Sequence, residues 1–220
     1  MTPRSFTSSF IRRITSTFAS APAAPPATGA EIPTAAPSLA ELKDSLQVLD
    51  QDPYLYVVDW DLQIISVFDD LRYDRADVDA LAGPMRSHVM QKLKPLGFEQ
   101  ITGHVIAHTT ADMQMVMPKF RALGESPFNA THFTKRRPQD FYILTPTQSA
   151  CVLIDSYPSE EAQERLLTLI KQQPINIYRI LDYMARDDRR MAFKPALGHL
   201  KFVQRQAVRS EPLCRRRALR

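Results

Sequence analysis

Asp59-Trp60-Asp61 is the tripeptide whose residue types and spacing point most directly to chemistry. In an extended strand side chains alternate across the sheet, so both carboxylates would share one face at the strand's C-terminal end while Trp60 packs on the other. Paired carboxylates can hold a hard divalent cation such as Mg²⁺ or Mn²⁺, which activates water or stabilises charge at a phosphodiester. A merely solvated strand end has the same appearance. His104 and His108 are four residues apart, with Asp112 four further on. On a single element the two imidazoles would share a face as metal ligands or as a general acid and base.

Two groups of bases are candidates for contact with an anionic partner. Lys135-Arg136-Arg137-Pro138 follows His132-Phe133 in an expected loop, and Lys201, Arg205 and Arg209 lead into Arg215-Arg216-Arg217. Basic residues supply phosphate affinity and aromatics stack on bases. Cys151 reads as a small buried residue and Cys214, beside arginines, as incidental. No phosphate-cradling glycine loop is present, and Walker and dinucleotide-binding folds have no support.

The elements that must position these residues follow from periodicity and punctuation. Ser38 and Glu41 have capping-box spacing ahead of Leu39, Leu42, Leu46 and Leu49. Tyr54 to Ile64 reads as a strand, with a helix over 54 to 68 as the alternative. A helix capped by Asp74 or Asp77 carries Val78, Leu81, Met85, Val89, Leu93 and Leu96, with Gly83-Pro84 as a kink or restart and Gly97 as the stop. Phe98 to Thr109 reads as a strand, 111 to 123 as a helix, and Phe141 to Leu144 with Ala150 to Ile154 as a β-hairpin. After Pro158 the pattern is helical over 159 to 172, 176 to 186 and 188 to about 209. The first two of these have helix-turn-helix dimensions with Arg179 and Arg186 on the second, although an ordinary packing hairpin fits equally.

In order, Tyr56-Val57-Val58-Asp59-Trp60-Asp61-Leu62, then Leu93-Lys94-Pro95-Leu96-Gly97-Phe98-Glu99, then Gln100-Ile101-Thr102-Gly103-His104-Val105-Ile106 resembles the virulence-associated protein D family. That family is related to the small ribonuclease-like subunit of CRISPR adaptation complexes. The resemblance covers residues 54 to 123. It implies a ferredoxin-like α+β sandwich, usually a homodimer, acting as a metal-dependent endoribonuclease on RNA, with Mg²⁺ or Mn²⁺ as cofactor. By the motif the essential acid is Asp61; Asp59, two residues earlier, is the candidate for the second metal ligand, and His104, from its spacing with His108, is a further catalytic candidate. Gln63 stands where the family often has a second acid, and His104 where it has a small hydroxyl residue. The alternative is a regulatory or inhibitory protein that binds protein or DNA, of the kind carried on bacterial mobile elements, which keeps the fold without the metal. An antitoxin or a regulated target would be its partner.

Composition and charge bound these readings. The chain has 220 residues, 44% of them hydrophobic and 24% charged, which excludes collagen, coiled coil and wholesale disorder. No apolar run approaches the roughly 18 to 20 residues of a membrane-spanning helix. Two cysteines are too few for a disulfide framework, so a reducing compartment is expected. The net charge of +4 conceals an acidic stretch, with eleven acids against Lys43, Arg72 and Arg75 over 39 to 80, and a basic end, with eleven bases against three acids over 186 to 220. Residues 1 to 37 read as a disordered leader and linker, 38 to 156 as the α+β core, and 157 to 220 as a helical basic extension. Phe6, Phe10, Ile14 and Phe18 among Arg4, Arg12 and Arg13 also fit a mitochondrial-type presequence; the other reading is a bacterial cytoplasmic protein.

Overall fold

The computed structural model describes residues 37–68, 79–118, 127–185, 193–210 and 213–215, with Met191 and Leu219. All belong to one compact unit, Ala36–Arg220. The expected leader, the cap at Asp74 or Asp77, residues Phe120 to Gly124, Arg186 and Arg216-Arg217 lie outside the described residues.

The first helix, α1 (Leu39–Gln47), starts where its capping box places it: the Glu41 amide donates to Ser38 Oγ at 3.3 Å and the Ser38 amide to Glu41 Oε2 at 2.6 Å. Leu42, Leu46 and Leu49 are buried beneath it. The apolar run from Tyr54 is two strands, β1 (Leu55–Asp59) and β2 (Ile64–Val67), paired antiparallel about a tight turn. Next comes α2 (Gly83–Leu93), which Gly83-Pro84 initiates, because a proline in the first turn gives up an amide that has no intrahelical partner there. Gly97 closes the following turn in the left-handed conformation, φ 82°. Phe98 to His108 also folds back on itself, as β3 (Phe98–Thr102) and β4 (Val105–His108).

Two expectations are corrected. Residues 111 to 123 were expected to be helical, but the described part contains β5 (Gln114–Val116), paired with β4. Met113, Met115 and Met117 bury into the core on one side of the sheet and Val116 on the other, a period of two that the dense apolar residues had allowed to pass for helical. Residues 141 to 154 are not a hairpin. After the short α3 (Ala130–Phe133), β6 (Phe141–Leu144) runs directly into α4 (Pro146–Ser156). Thr145-Pro146-Thr147-Gln148 is a capping box rather than a turn: the Gln148 amide donates to Thr145 Oγ1 at 3.2 Å, and the Thr145 amide to Gln148 Oε1 at 3.1 Å. Then follow α5 (Ser159–Gln172), α6 (Ile177–Met184) and α7 (Leu197–Arg209).

The fold is α+β, with one sheet of strand order β1-β2-β6-β5-β4-β3. β6 is parallel to both β2 and β5, and the other pairs are antiparallel. This connectivity differs from the β-α-β-β-α-β pattern of a ferredoxin-like core. The reason lies in β6, which is apolar on both faces and therefore takes the centre of the sheet, where both faces are covered. Phe141 and Ile143 pack with α1 and α2, while Tyr142 and Leu144 face the side covered by α4 and α5. The helices after residue 157 share the sheet's unit: α5 and α6 pack on α4, and α7 packs on α5, burying Leu166, Ile170, Ile177, Ile180 and Leu200 in one cluster.

Gly97 is a point where conformation and space both exclude a side chain. A Cβ there would lie 2.9 Å from His108 Nε2 at a φ of +82°. Gly97→Ala is expected to cost ~1–3 kcal/mol, read as a lower urea midpoint with unchanged slope.

Candidate functional site

The β1–β2 turn carries the aspartates, and a β-bulge decides where they go. Val57 pairs with Ile65 and Asp59 with Ile64, leaving Val58 as the extra residue. The bulge turns the Asp59 side chain to the face of Ile64, toward α5, and ends the strand before Asp61. Asp61 follows in the turn, and its carboxylate comes within 3.8 Å of the same Arg165 that pairs with Asp59, so both carboxylates lie on the α5 side. Trp60 packs on the opposite side, its ring edge-on to Phe141 at 6.0 Å.

Asp59 is fully buried while the Asp61 side chain is 82% exposed. The buried carboxylate is saturated. Oδ1 accepts the amides of Leu62 at 2.7 Å and Asp61 at 2.9 Å, which fixes the turn, and Oδ2 accepts the Tyr157 hydroxyl at 3.0 Å and the Arg165 guanidinium. Arg165 is itself oriented by Glu161 one turn earlier, at 2.8 Å, and lies over the Tyr157 ring at 4.0 Å. Burial and the adjacent Asp59 carboxylate push the Tyr157 phenol up to about 12. It remains a neutral donor across the physiological range.

A divalent cation at Asp59 would compete with these donors. It would have to displace Arg165 and Tyr157 from Asp59, and the other carboxylates at hand, Asp61 and Glu161, lie 3.8 and 2.8 Å from the same guanidinium. Among the described residues, no group of three His, Cys, Asp or Glu is placed to hold a metal ion.

The histidines are not brought to the aspartates. β2, β6 and β5 run one way and β4 the other, so the β1–β2 turn and the β3–β4 turn that holds His104 lie at opposite ends of the sheet. The four intervening strand spacings alone make ~19 Å. His104 Nδ1 is 3.1 Å from Thr102 Oγ1 within its own turn. His108 is back at the aspartate end, but its Nδ1 accepts the amides of Ala111 at 2.9 Å and Thr110 at 3.2 Å, and its ring stands edge-on to Phe98.

Two of the expected phosphate contacts are used internally. Arg136 is turned inward over the Tyr142 ring at 4.2 Å and donates to the carbonyls of Leu62, Gln63 and Asp140. It thereby holds the same β1–β2 turn, in which Gln63 has a left-handed φ of 50°. Arg137 bridges buried Asp140 and exposed Asp112. Burial alone would raise the Asp140 carboxyl, but the Arg137 donors and the Gln114 amide hold it below the usual carboxylate range. Lys135 stays exposed on the loop, while Lys201, Arg205 and Arg209 are exposed along α7. Arg179, from the helix-turn-helix reading, is half-buried with its guanidinium over the Phe128 ring at 5.3 Å. No helix among the described residues is long and apolar enough to cross a membrane.

Sequence reasoning missed Tyr157 and Arg165. The Glu161–Arg165 pair is visible as an i,i+4 spacing, but nothing local ties Arg165 to an aspartate 106 residues earlier.

Arg165→Ala leaves a buried carboxylate short of its cationic partner and is expected to lower stability by about 2–3 kcal/mol in urea unfolding. A second outcome concerns acid. Asp52 lies 2.9 Å from His88 and 2.8 Å from Lys92. Although burial raises its carboxyl, these donors hold it below the usual range, as with Asp140. Carboxyls depressed in the folded state add stability above their unfolded pKa of roughly 4, and lose it as pH falls through the folded value. Unfolding free energy is expected to fall below about pH 4, less steeply in Arg137→Ala. Compared with protein-family models, curated proteins and solved structures, the chain gives no match, and its function has to be read from these residues.

Proposed function

We propose that this chain is a non-enzymatic binding protein, regulatory or inhibitory toward a protein partner, whose aspartate turn is structural. The observation that carries this reading is the saturation of Asp59 by two amides, a phenol and a guanidinium. A carboxylate with every acceptor position occupied has no valence left for a catalytic cation. The metal-dependent ribonuclease that the resemblance implies would have to work with Asp61 and Glu161, both beside Arg165, and with His104 at the far end of the sheet. The distribution of cations supports binding: bases near the turn are consumed by carbonyls and carboxylates, while those of α7 point outward.

The test is RNA cleavage by purified full-length protein in Mg²⁺ or Mn²⁺, run beside Asp61→Asn, with calorimetric titration of either ion. The expected result is background cleavage in both proteins and no saturable ion binding. Metal-stimulated cleavage that disappears in Asp61→Asn would overturn the reading in favour of the ribonuclease.

A further inference from the structure

Helices α6 and α7 both line one open groove at the surface, of about 390 Å³. Its floor is aliphatic, built from Ile177, Leu181, Leu197 and Val208, and one wall is Tyr178, 41% exposed. Gly198 leaves the floor open, since a Cβ placed there would meet nothing within 4 Å. Along the other wall Lys201, Arg205 and Arg209 recur every four residues, so they share one side of α7 over ~12 Å of its length. None of the three has a carboxylate partner among the described residues; Lys201 Nζ lies 5.5 Å from the centre of the Tyr178 ring.

An apolar floor with a single-sign row of cations along one wall is complementary to one kind of ligand. We propose that this groove docks an amphipathic helix of a partner protein, its aliphatic face on Ile177, Leu181 and Val208 and a row of Glu or Asp at four-residue spacing against Lys201, Arg205 and Arg209. This names the partner class for the binding function proposed above and rests on that reading. Single-stranded nucleic acid is the weaker occupant. Its bases need open aromatic faces, whereas the Tyr178 ring lies against Lys201 and the remaining floor is aliphatic. A second copy of the chain docking by the same groove would bring two rows of like charge together.

The probe is a fluorescein-labelled peptide of about 20 residues, long enough to be helical, made of Leu, Ala and Glu with Glu in one i,i+4 row. It is measured by anisotropy against the full chain. Saturable binding is expected, weakening with added salt and falling about tenfold or more in Lys201→Glu/Arg205→Glu. Gly198→Leu fills the open floor at a helical position and is expected to abolish binding while far-ultraviolet circular dichroism and the urea midpoint are retained or improved. Equal binding of a peptide with Lys in place of Glu, tighter binding of single-stranded RNA at the same salt, or undiminished affinity in Gly198→Leu would each overturn the groove proposal. Those results leave the cleavage assay untouched. Conversely, metal-dependent cleavage lost in Asp61→Asn removes the non-enzymatic reading whatever the peptide does.

Discussion

The carboxylate of Asp59 cannot remain buried without neutralisation, and most of what surrounds the β1–β2 turn meets that requirement. An isolated ion in a low-dielectric interior is costly, so Asp59 collects two amides from its own turn, a phenol and a guanidinium from beyond the sheet. The amides set the turn geometry. The guanidinium ties the middle of α5 to the end of β1, and Tyr157 does the same for the segment between α4 and α5. Arg136 grips the outer side of the same turn through three carbonyls, one of them that of Asp140, and Asp140 in turn organises Arg137. One end of the sheet is thus laced together by a continuous set of charged hydrogen bonds joining residues distant in sequence.

The topology follows from how much apolar surface each strand must cover. β2 and β6 are buried on both faces, as strands in the middle of a two-sided sheet must be. α1 and α2 cover one face, α4 and α5 the other. β3, at the sheet edge, buries little beyond Phe98, and its pairing with β4 shifts register near Ile101, a distortion that discourages further strands from adding there. The residues expected from the resemblance to act together are drawn from the turns of two different hairpins. The parallel centre of the sheet puts those turns at opposite ends.

What was legible in the sequence was local. Ser38 with Glu41, the Gly97 stop, and the helices from Ser159 and Asn176 are set by caps and periodicity within a few residues, and the structure contains them. What failed to read correctly was also local chemistry with two meanings. Thr145-Pro146-Thr147-Gln148 has the composition of a turn, yet its order, hydroxyl, proline, then glutamine at the third helical position, specifies a helix start. The β-bulge at Val58 left no mark in composition, and it alone moves Asp59 from the face an even alternation would give it. Arg165 as the partner of Asp59 was beyond any local reading, because the contact exists only once α5 has packed on the sheet.

Charge gains meaning in the same way. The acidic stretch from 39 to 80 suggests an anionic surface when counted, but several of its described members are engaged by other groups of the molecule. Asp50 accepts the Val57 amide, Asp52 holds His88 and Lys92, Asp59 holds Arg165, and Asp79 accepts the Thr145 hydroxyl. The bases at 136 and 137 are consumed likewise. A charge that is paired and buried contributes little to the field a partner meets, whereas an exposed row without carboxylate partners contributes to it directly. On α7, Lys201, Arg205 and Arg209 form such an exposed row, and the aliphatic groove beside it gives that charge shape as well as sign.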